Sequence, residues 1–346
     1  MSLTDPDIAS DQESGCLAPR QRYDLLGHEE AEQAFATAWQ TGRLHHAWLI
    51  SGPKGIGKAT LAWRMARRVL GAAPDAEYGT LGSSPRDPVC QLLEAMANPD
   101  LLLLRRPWDE KRKRWRAEIT VDEARKAPSF FEKSAGAGGW RVCIVDSADD
   151  MNRNAANALL KTLEEPPKRG ILILVSHSPG RLPATIRSRC RKLVLRAPEV
   201  DQVTQWLCER NGVAQEASLD QLVAYAGASP GRALTLATGD GASLIRDVDT
   251  LVARGKLLSD EEARRIADRV TGKGREDQLA VFYDALARAY QAQARQRALQ
   301  GQDPKGWIKA WADTAKLVRD AEALYLDPKQ TVLQALALSR AAASTS

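Results

Sequence analysis

Nowhere does the 346-residue sequence string together the roughly 18 apolar residues that a bilayer span requires, and its first residues are polar where a signal peptide would be hydrophobic. These absences argue against a membrane or exported protein, and the expectation is a cytoplasmic one. Cysteine is scarce. Cys16, Cys90, Cys143, Cys190 and Cys208 are scattered without a Cys-x-x-Cys pair, which excludes a zinc ribbon or dithiol centre and leaves buried or incidental thiols. There is no internal repeat and no sustained heptad. Charge of one sign is also in short supply: the net value of +5 does not by itself select an acidic partner. The local exception is Lys111, Arg112, Lys113, Arg114 and Arg116, interleaved with Trp108 and Trp115 as a nucleic-acid contact would be. Asp109, Glu110 and Glu118 dilute this cluster, so a solvated loop is the simpler reading.

What is present is a phosphate-binding loop, Gly52-Pro-Lys-Gly-Ile-Gly-Lys58, between an apolar run at Ala47 to Ser51 and a helical stretch at Lys58 to Leu70. Gly52, Gly55 and Gly57 permit the tight backbone that aims N–H groups at phosphate oxygens, and Lys58 reaches the terminal phosphates. The next position should offer a hydroxyl to magnesium. It is Ala59, and Thr60 lies about 100° further round the helix, which aims it away from the phosphates. A second element, Val142 to Asp149, reads as a strand ending in Asp146, a carboxylate able to hold magnesium beside the loop. The acid that would activate water is replaced by Ser147, a loss that typically costs about 10²- to 10⁴-fold in rate. Asp149 is better placed to cap the next helix. Hydrolysis is expected to be absent or very slow, whereas ATP or ADP binding keeps its cradle, Lys58 and Asp146. At the end of the run Ile171 to Val175, Ser176 and His177 either sense a terminal phosphate or cap the turn. Arg187, Arg189 and Arg191 come next; an arginine of this kind either stabilises a neighbouring subunit's triphosphate or forms a surface ion pair.

Residues 1–20 read as a disordered leader. An amphipathic helix at Glu29 to Thr41 precedes the loop, residues 71–88 should loop out on the surface, and further apolar runs at Leu101 to Leu104, Val142 to Val145, Ile171 to Val175 and Leu193 to Leu195 look like strands buried on both faces. Helical stretches at Val121 to Lys133 and Asn154 to Glu165 alternate with them. The fold class is therefore α/β, with a parallel sheet over residues 21–198. A small helical unit at 199–240 and a larger all-helical domain at 241–340, including a bundle helix at Gln278 to Gln300, complete the chain.

The phosphate loop, Asp146, Ala155 to Pro167 (Ala-Ala-Asn-Ala-Leu-Leu-Lys-Thr-Leu-Glu-Glu-Pro-Pro), Ser188-Arg189-Cys190 and Gly231-Arg232-Ala233-Leu234 together resemble the clamp-loader branch of the AAA+ ATPases. The resemblance covers about residues 23–240. It implies an AAA+ P-loop core, a lid and a C-terminal domain that joins a five-subunit collar. It further implies a stator that does not power the cycle and instead supplies Arg189 as an arginine finger in trans. The implied partners are gamma- or tau-like motor subunits and a delta subunit and, indirectly, a sliding clamp and primer-template DNA. Arg232 matches the second sensor position, and Gly27 and His28 lie where the family approaches adenine. Many members carry a four-cysteine zinc module after the loop helix; residues 71–99 hold only Cys90, so zinc is not expected and no residue is assigned to a metal. The competing readings are a hydrolysing AAA+ motor subunit or another remodeller, and a DNA-binding module centred on Lys111 to Arg116.

Overall fold

The apolar runs do become strands. A computed structural model describes the chain apart from residues 1–11, 13, 14, 112, 113, 134–138, 211–218, 239, 256–258, 273, 274, 325, 345 and 346. It divides into two units, one ending at Thr238 and the other formed by the C-terminal stretch Gly239–Ser346. In chain order the first contains α1 (Glu29–Gln40), β1 (Ala47–Ser51), α2 (Lys58–Val69), α3 (Pro88–Glu94), β2 (Leu101–Leu104), β3 (Trp108–Asp109), β4 (Arg114–Trp115), α4 (Val121–Ala124), α5 (Lys126–Glu132), β5 (Arg141–Val145), α6 (Arg153–Glu164), β6 (Gly170–Ser176), α7 (Ala184–Arg187), β7 (Arg191–Val194), α8 (Val200–Cys208), α9 (Leu219–Tyr225) and α10 (Pro230–Thr238).

Five strands form one parallel sheet in the order β2-β5-β6-β1-β7. The central strands β1, β5 and β6 are buried at every position, as continuous apolar runs require. Their side chains alternate between two cores. Trp48 and Ile50 join Phe35, Trp63 and Met65 beneath α1 and α2, while Leu49, Val145 and Leu174 join Leu159 and Leu163 of α6 on the opposite face. The edge strands differ from expectation: in β7 only Leu193 is buried, and Val194 is exposed. Burial on both faces depends on a strand's place in the sheet as much as on its composition.

The single helix expected at Val121 to Lys133 is two. Pro128 has no N–H for the carbonyl of Ala124, so the first turn ends there; within α5 the same proline falls in the first turn, where it is tolerated. Residues 71–88 do not simply loop out. Leu81 and Ser83 are buried, and the segment is drawn in by α2: Arg64 donates to the carbonyl of Tyr78 at 2.5 Å and Arg68 to that of Gly82 at 3.2 Å. Arg64 also meets Glu32 and the carbonyl of Tyr23. Arg67, fully buried, donates to the carbonyls of Arg22 and Arg20, with its guanidinium 3.9 Å from the Tyr23 ring centroid. These bonds pull in the end of the segment read as a leader. Pro19–Gln21 forms a 3-10 turn, and Ala18 and Pro19 are buried; most of the earlier residues lie outside the described ones.

The second unit is all-helical: α11 (Gly241–Arg254), α12 (Asp260–Val270), α13 (Glu276–Leu299), α14 (Lys305–Leu324) and α15 (Pro328–Ser344). Ser259 and Glu262 form a capping box that starts α12. Along α13, Phe282, Ala285, Leu286, Ala289 and Tyr290 make a buried stripe at three-and-four spacing. The Tyr290 hydroxyl donates to the carbonyl of Ala335 at 3.0 Å and pairs with the Ser339 hydroxyl at 2.6 Å, tying α13 to α15.

Candidate functional site

The sheet order makes β5, β6 and β1 neighbours, so the segments leaving these three parallel strands meet at one carboxyl edge. Ser51 pairs with Ser176 and Val145 with Leu174, which sets Asp146, His177 and the phosphate loop side by side. Residues 55–60, Asp146, Val175 and His177 line one cleft, closed from the other side by Leu25, Trp206, Pro230 and Gly231.

The loop's glycines are required sterically. Gly52 has φ 151°, and a Cβ there would lie 2.4 Å from the Leu195 carbonyl oxygen. Gly57, the N-cap of α2, sits at φ 99°, and its Cβ would meet Leu25 at 2.7 Å. Lys58 is buried and its ammonium donates to the carbonyl of Pro53, within the loop itself. The start of α10 rests on the same backbone: the Ser229 hydroxyl donates to the carbonyl of Lys54, and the Gly231 N–H to that of Gly55, both at 2.9 Å. As it stands the cleft encloses about 120 Å³, below the roughly 300–1,000 Å³ of ligand pockets.

Ala59 and Thr60 both border the cleft, although the helical rotation was expected to turn Thr60 away. Asp146 is buried at its edge. Ser147, at the water-activating position, hydrogen-bonds the Asp150 carboxyl, whose pKa burial pushes up against the opposing pull of Arg106. Asp149 caps something other than the next helix. Its carboxylate accepts from the Ser176 hydroxyl at 2.9 Å, the His177 N–H and the Ser178 N–H at 3.2 Å, fastening the turn after β6; Asn152 caps α6 instead. Ser176 is thereby committed to the turn. The His177 ring remains in the cleft with a buried Nδ1 that has no hydrogen-bond partner, and burial, then Lys58, pushes its pKa down to about 4. It is neutral at physiological pH.

His28 is buried, its Nε2 2.7 Å from the carbonyl of Ile56, which commits it to supporting the loop; burial lowers its pKa. Gly27, at φ 76°, lies against Pro198. Arg232, the third residue of α10, brings its backbone to 3.2 Å from where a Gly55 Cβ would stand. One feature of the cleft has no counterpart in the sequence motifs. Asp24 binds the Trp206 indole N–H at 3.2 Å, Arg210 at 2.5 Å and Arg22 at 3.3 Å, and Arg210 stacks 3.4 Å over the Trp206 ring. Burial raises the Asp24 pKa, but Arg22, the indole and Arg210 outweigh it and the net direction is down. Trp206 and Arg210 lie 182 and 186 residues from Asp24, so no local pattern announces the cluster.

Arg189 stands apart from the residues lining the cleft. It is partly exposed, with Nη1 donating to the carbonyl of Thr185 and Nη2 facing a Glu164 carboxylate oxygen, each at 3.0 Å. Arg191 instead lies over the Trp48 ring at 4.8 Å. In the basic segment, Trp108 and Trp115 pair across β3 and β4 with centroids 5.3 Å apart and Arg105 lies 5.5 Å over Trp115; Arg112 and Lys113 lie outside the described residues. Among the described residues no group of three or more His, Cys, Asp or Glu could hold a metal ion, and no helix is long and apolar enough to cross a membrane.

Residues 27–199, half the chain, match the family described as DNA polymerase III, delta subunit. The chain belongs to that family. It is 39% identical over 185 residues to DNA polymerase III subunit delta' of Pseudomonas aeruginosa, covering 54% of this chain and 53% of the relative. With DNA polymerase III subunit delta' of Escherichia coli the identity is 36% over 208 residues, covering 60% and 59%. Subunit tau of Escherichia coli is 30% identical over 287 residues, 80% of this chain and 42% of the relative. The chain thus spans about half the length of the curated relatives it matches. A DNA polymerase III gamma subunit-related protein from Thermotoga maritima shares the fold, with TM-score 0.50 at 16% identity over 86% of this chain and 94% of that one. The architecture is the AAA+ type that the motifs implied.

Proposed function

We propose that this chain is a delta-prime-like stator of a bacterial DNA polymerase III clamp loader. It joins gamma- or tau-like motor subunits and a delta subunit, presents Arg189 to the neighbouring ATP site, and so supports loading of the sliding clamp onto primed DNA in the cytoplasm. The observation that carries the reading is a division of labour: the chain's own cleft lacks both the metal-binding hydroxyl and the water-activating acid, at Ala59 and Ser147, while a partly exposed arginine lies outside that cleft. Delta-prime relatives also match at higher identity than tau.

ATP or ADP occupies the Gly52–Lys58 cradle once α10 lifts, with Asp146 facing any magnesium that accompanies it and Arg232 arriving from the lid. The nucleotide is held without turnover. Residues 21–198 act as the AAA+ core, 199–240 as the lid and 241–340 as the collar domain, where Ile308 and Trp311, exposed one turn apart on α14, offer apolar area to a partner subunit. The deciding experiment is reconstitution with motor and delta subunits. Arg189→Ala should leave the complex assembled and cut hydrolysis at the bordering site by about 10³-fold, the scale of a trans arginine. Unchanged hydrolysis there, or turnover by the isolated chain at the rate of an active motor, would sink the reading.

A further inference from the structure

We infer that Glu164 is a positioning residue that holds Arg189 in its presenting orientation before a neighbour's nucleotide meets it; this rests on the trans role proposed above. An arginine has five N–H donors in a planar fork, and a long flexible stem that must be ordered before the fork can act. Here one donor is spent internally: Nη1 donates to the carbonyl of Thr185 in α7 at 3.0 Å. Nη2 forms an ion pair with Glu164, the last residue of α6, at 3.0 Å. The two partners come from different helices that pack together, and a hydrogen bond with an ion pair restricts a guanidinium that a single contact leaves free to turn.

The anchorage continues into the core. The Arg189 N–H donates to the carbonyl of Ile186 at 3.1 Å, and Ile186 and Cys190 on either side are buried. Glu164 has its own fixed base, because Pro166 and Pro167 end α6 directly after it. Glu164 is half exposed, so the ion pair adds little to stability. What it supplies is direction, and the negative charge is the part of Glu164 that supplies it.

The test uses the reconstituted complex in which the ATP sites not bordering this chain carry inactivated phosphate loops. Glu164→Ala should lower kcat at the bordering site by up to about tenfold, less than the ~10³-fold of losing the arginine, because a misaimed group still visits the productive pose. KM for ATP and the melting temperature of the variant chain should stay unchanged. Glu164→Gln keeps the side-chain length without the charge and should fall to within about twofold of Ala. Glu164→Ala added to Arg189→Ala should cost nothing more. The inference is overturned if Glu164→Ala matches or exceeds wild type, if Gln retains wild-type kcat, or if the double variant falls below Arg189→Ala alone. If Arg189→Ala itself changes nothing, the finger reading fails, a result distinct from failure of Glu164 alone.

Discussion

Lowering the pH should destabilise the unit that carries the sheet through His177, and its surroundings set the size of the effect. Burial in the cleft and the nearby Lys58 ammonium disfavour the imidazolium, moving the pKa from an ordinary 6.5 to about 4; Asp149 opposes the shift and Lys54 adds to it. The unfolded chain therefore binds more protons than the folded one between about pH 4 and 6.5. Stability that is fully present above pH 6.5 is lost as pH falls through that window. At about 1.4 kcal/mol per pH unit the full shift would correspond to roughly 3 kcal/mol, and allowing for the part of the ring that water reaches leaves about 2 kcal/mol by pH 4.5. Urea unfolding of wild type and His177→Asn should be measured from pH 7.5 to 4.5, because other carboxylates titrate in both proteins and cancel in the difference. The asparagine variant, which cannot titrate, should lose about 2 kcal/mol less than wild type across that range. Parallel stability curves would refute the argument. A bound phosphate should narrow the gap, since its charge favours the imidazolium that burial opposes.

The other expectations concern the frame around the cleft. Gly52→Ala places a methyl 2.4 Å from the Leu195 carbonyl oxygen at φ 151°, and should cost about 2–4 kcal/mol in chemical denaturation; a cost under about 1 kcal/mol would mean that the loop yields freely. Arg67→Met keeps the apolar stem but leaves the buried carbonyls of Arg20 and Arg22 without donors, so a loss of about 2–4 kcal/mol and faster proteolysis near residue 20 are expected. Ser229→Ala removes one of the two bonds that seat α10 on the phosphate loop and should tighten ADP binding in calorimetry by a few-fold, about 1 kcal/mol or less; weaker binding would show that the lid assists rather than obstructs. Charge reversal at Lys111, Arg112 and Lys113 should leave primed-DNA binding by the assembled complex and its salt dependence unchanged, as a solvated loop requires.

What the sequence revealed and what it concealed separate along physical lines. Strands β1, β5 and β6 were legible because a strand buried on both faces needs an unbroken apolar run, and Ile171 to Val175 is such a run. The edge position of β7 was not, since Leu193 to Leu195 looks equally apolar and only strand order decides which face is covered. The phosphate loop and Asp146 were legible from spacing. Local reasoning correctly gave Asp149 a capping role and misjudged its target, because the hydroxyl and the two N–H groups it accepts from lie 27 to 29 residues later in sequence. Arg64 and Arg67 were invisible for a related reason. On an amphipathic helix an arginine is read as solvated, and nothing nearby in sequence announces that carbonyls 14 to 47 residues away will surround it.

The phosphate loop itself says less about chemistry than its recognisability suggests. Gly52 is held against the end of β7 through Leu195, Gly55 against Ser229, and Gly57 against Leu25, so each glycine would be required here even if no phosphate ever arrived. Lys58, buried and donating to the Pro53 carbonyl, likewise has a partner inside the loop. These residues report that the backbone is folded a particular way. Ala59 and Ser147 are different: a threonine and a glutamate there would serve metal and water. Ala59 is half-buried at the cleft, Ser147 is buried and bonded to Asp150, and neither side chain offers the group that hydrolysis needs. Arg189 contributes little to the stability of its own chain, because it is partly exposed and held by one carbonyl and one ion pair, about 0–1 kcal/mol for such a pair. Under the trans role proposed above its bracing serves aim, which is why kcat at the bordering site, and not the melting temperature of this chain, is the readout that tests Glu164.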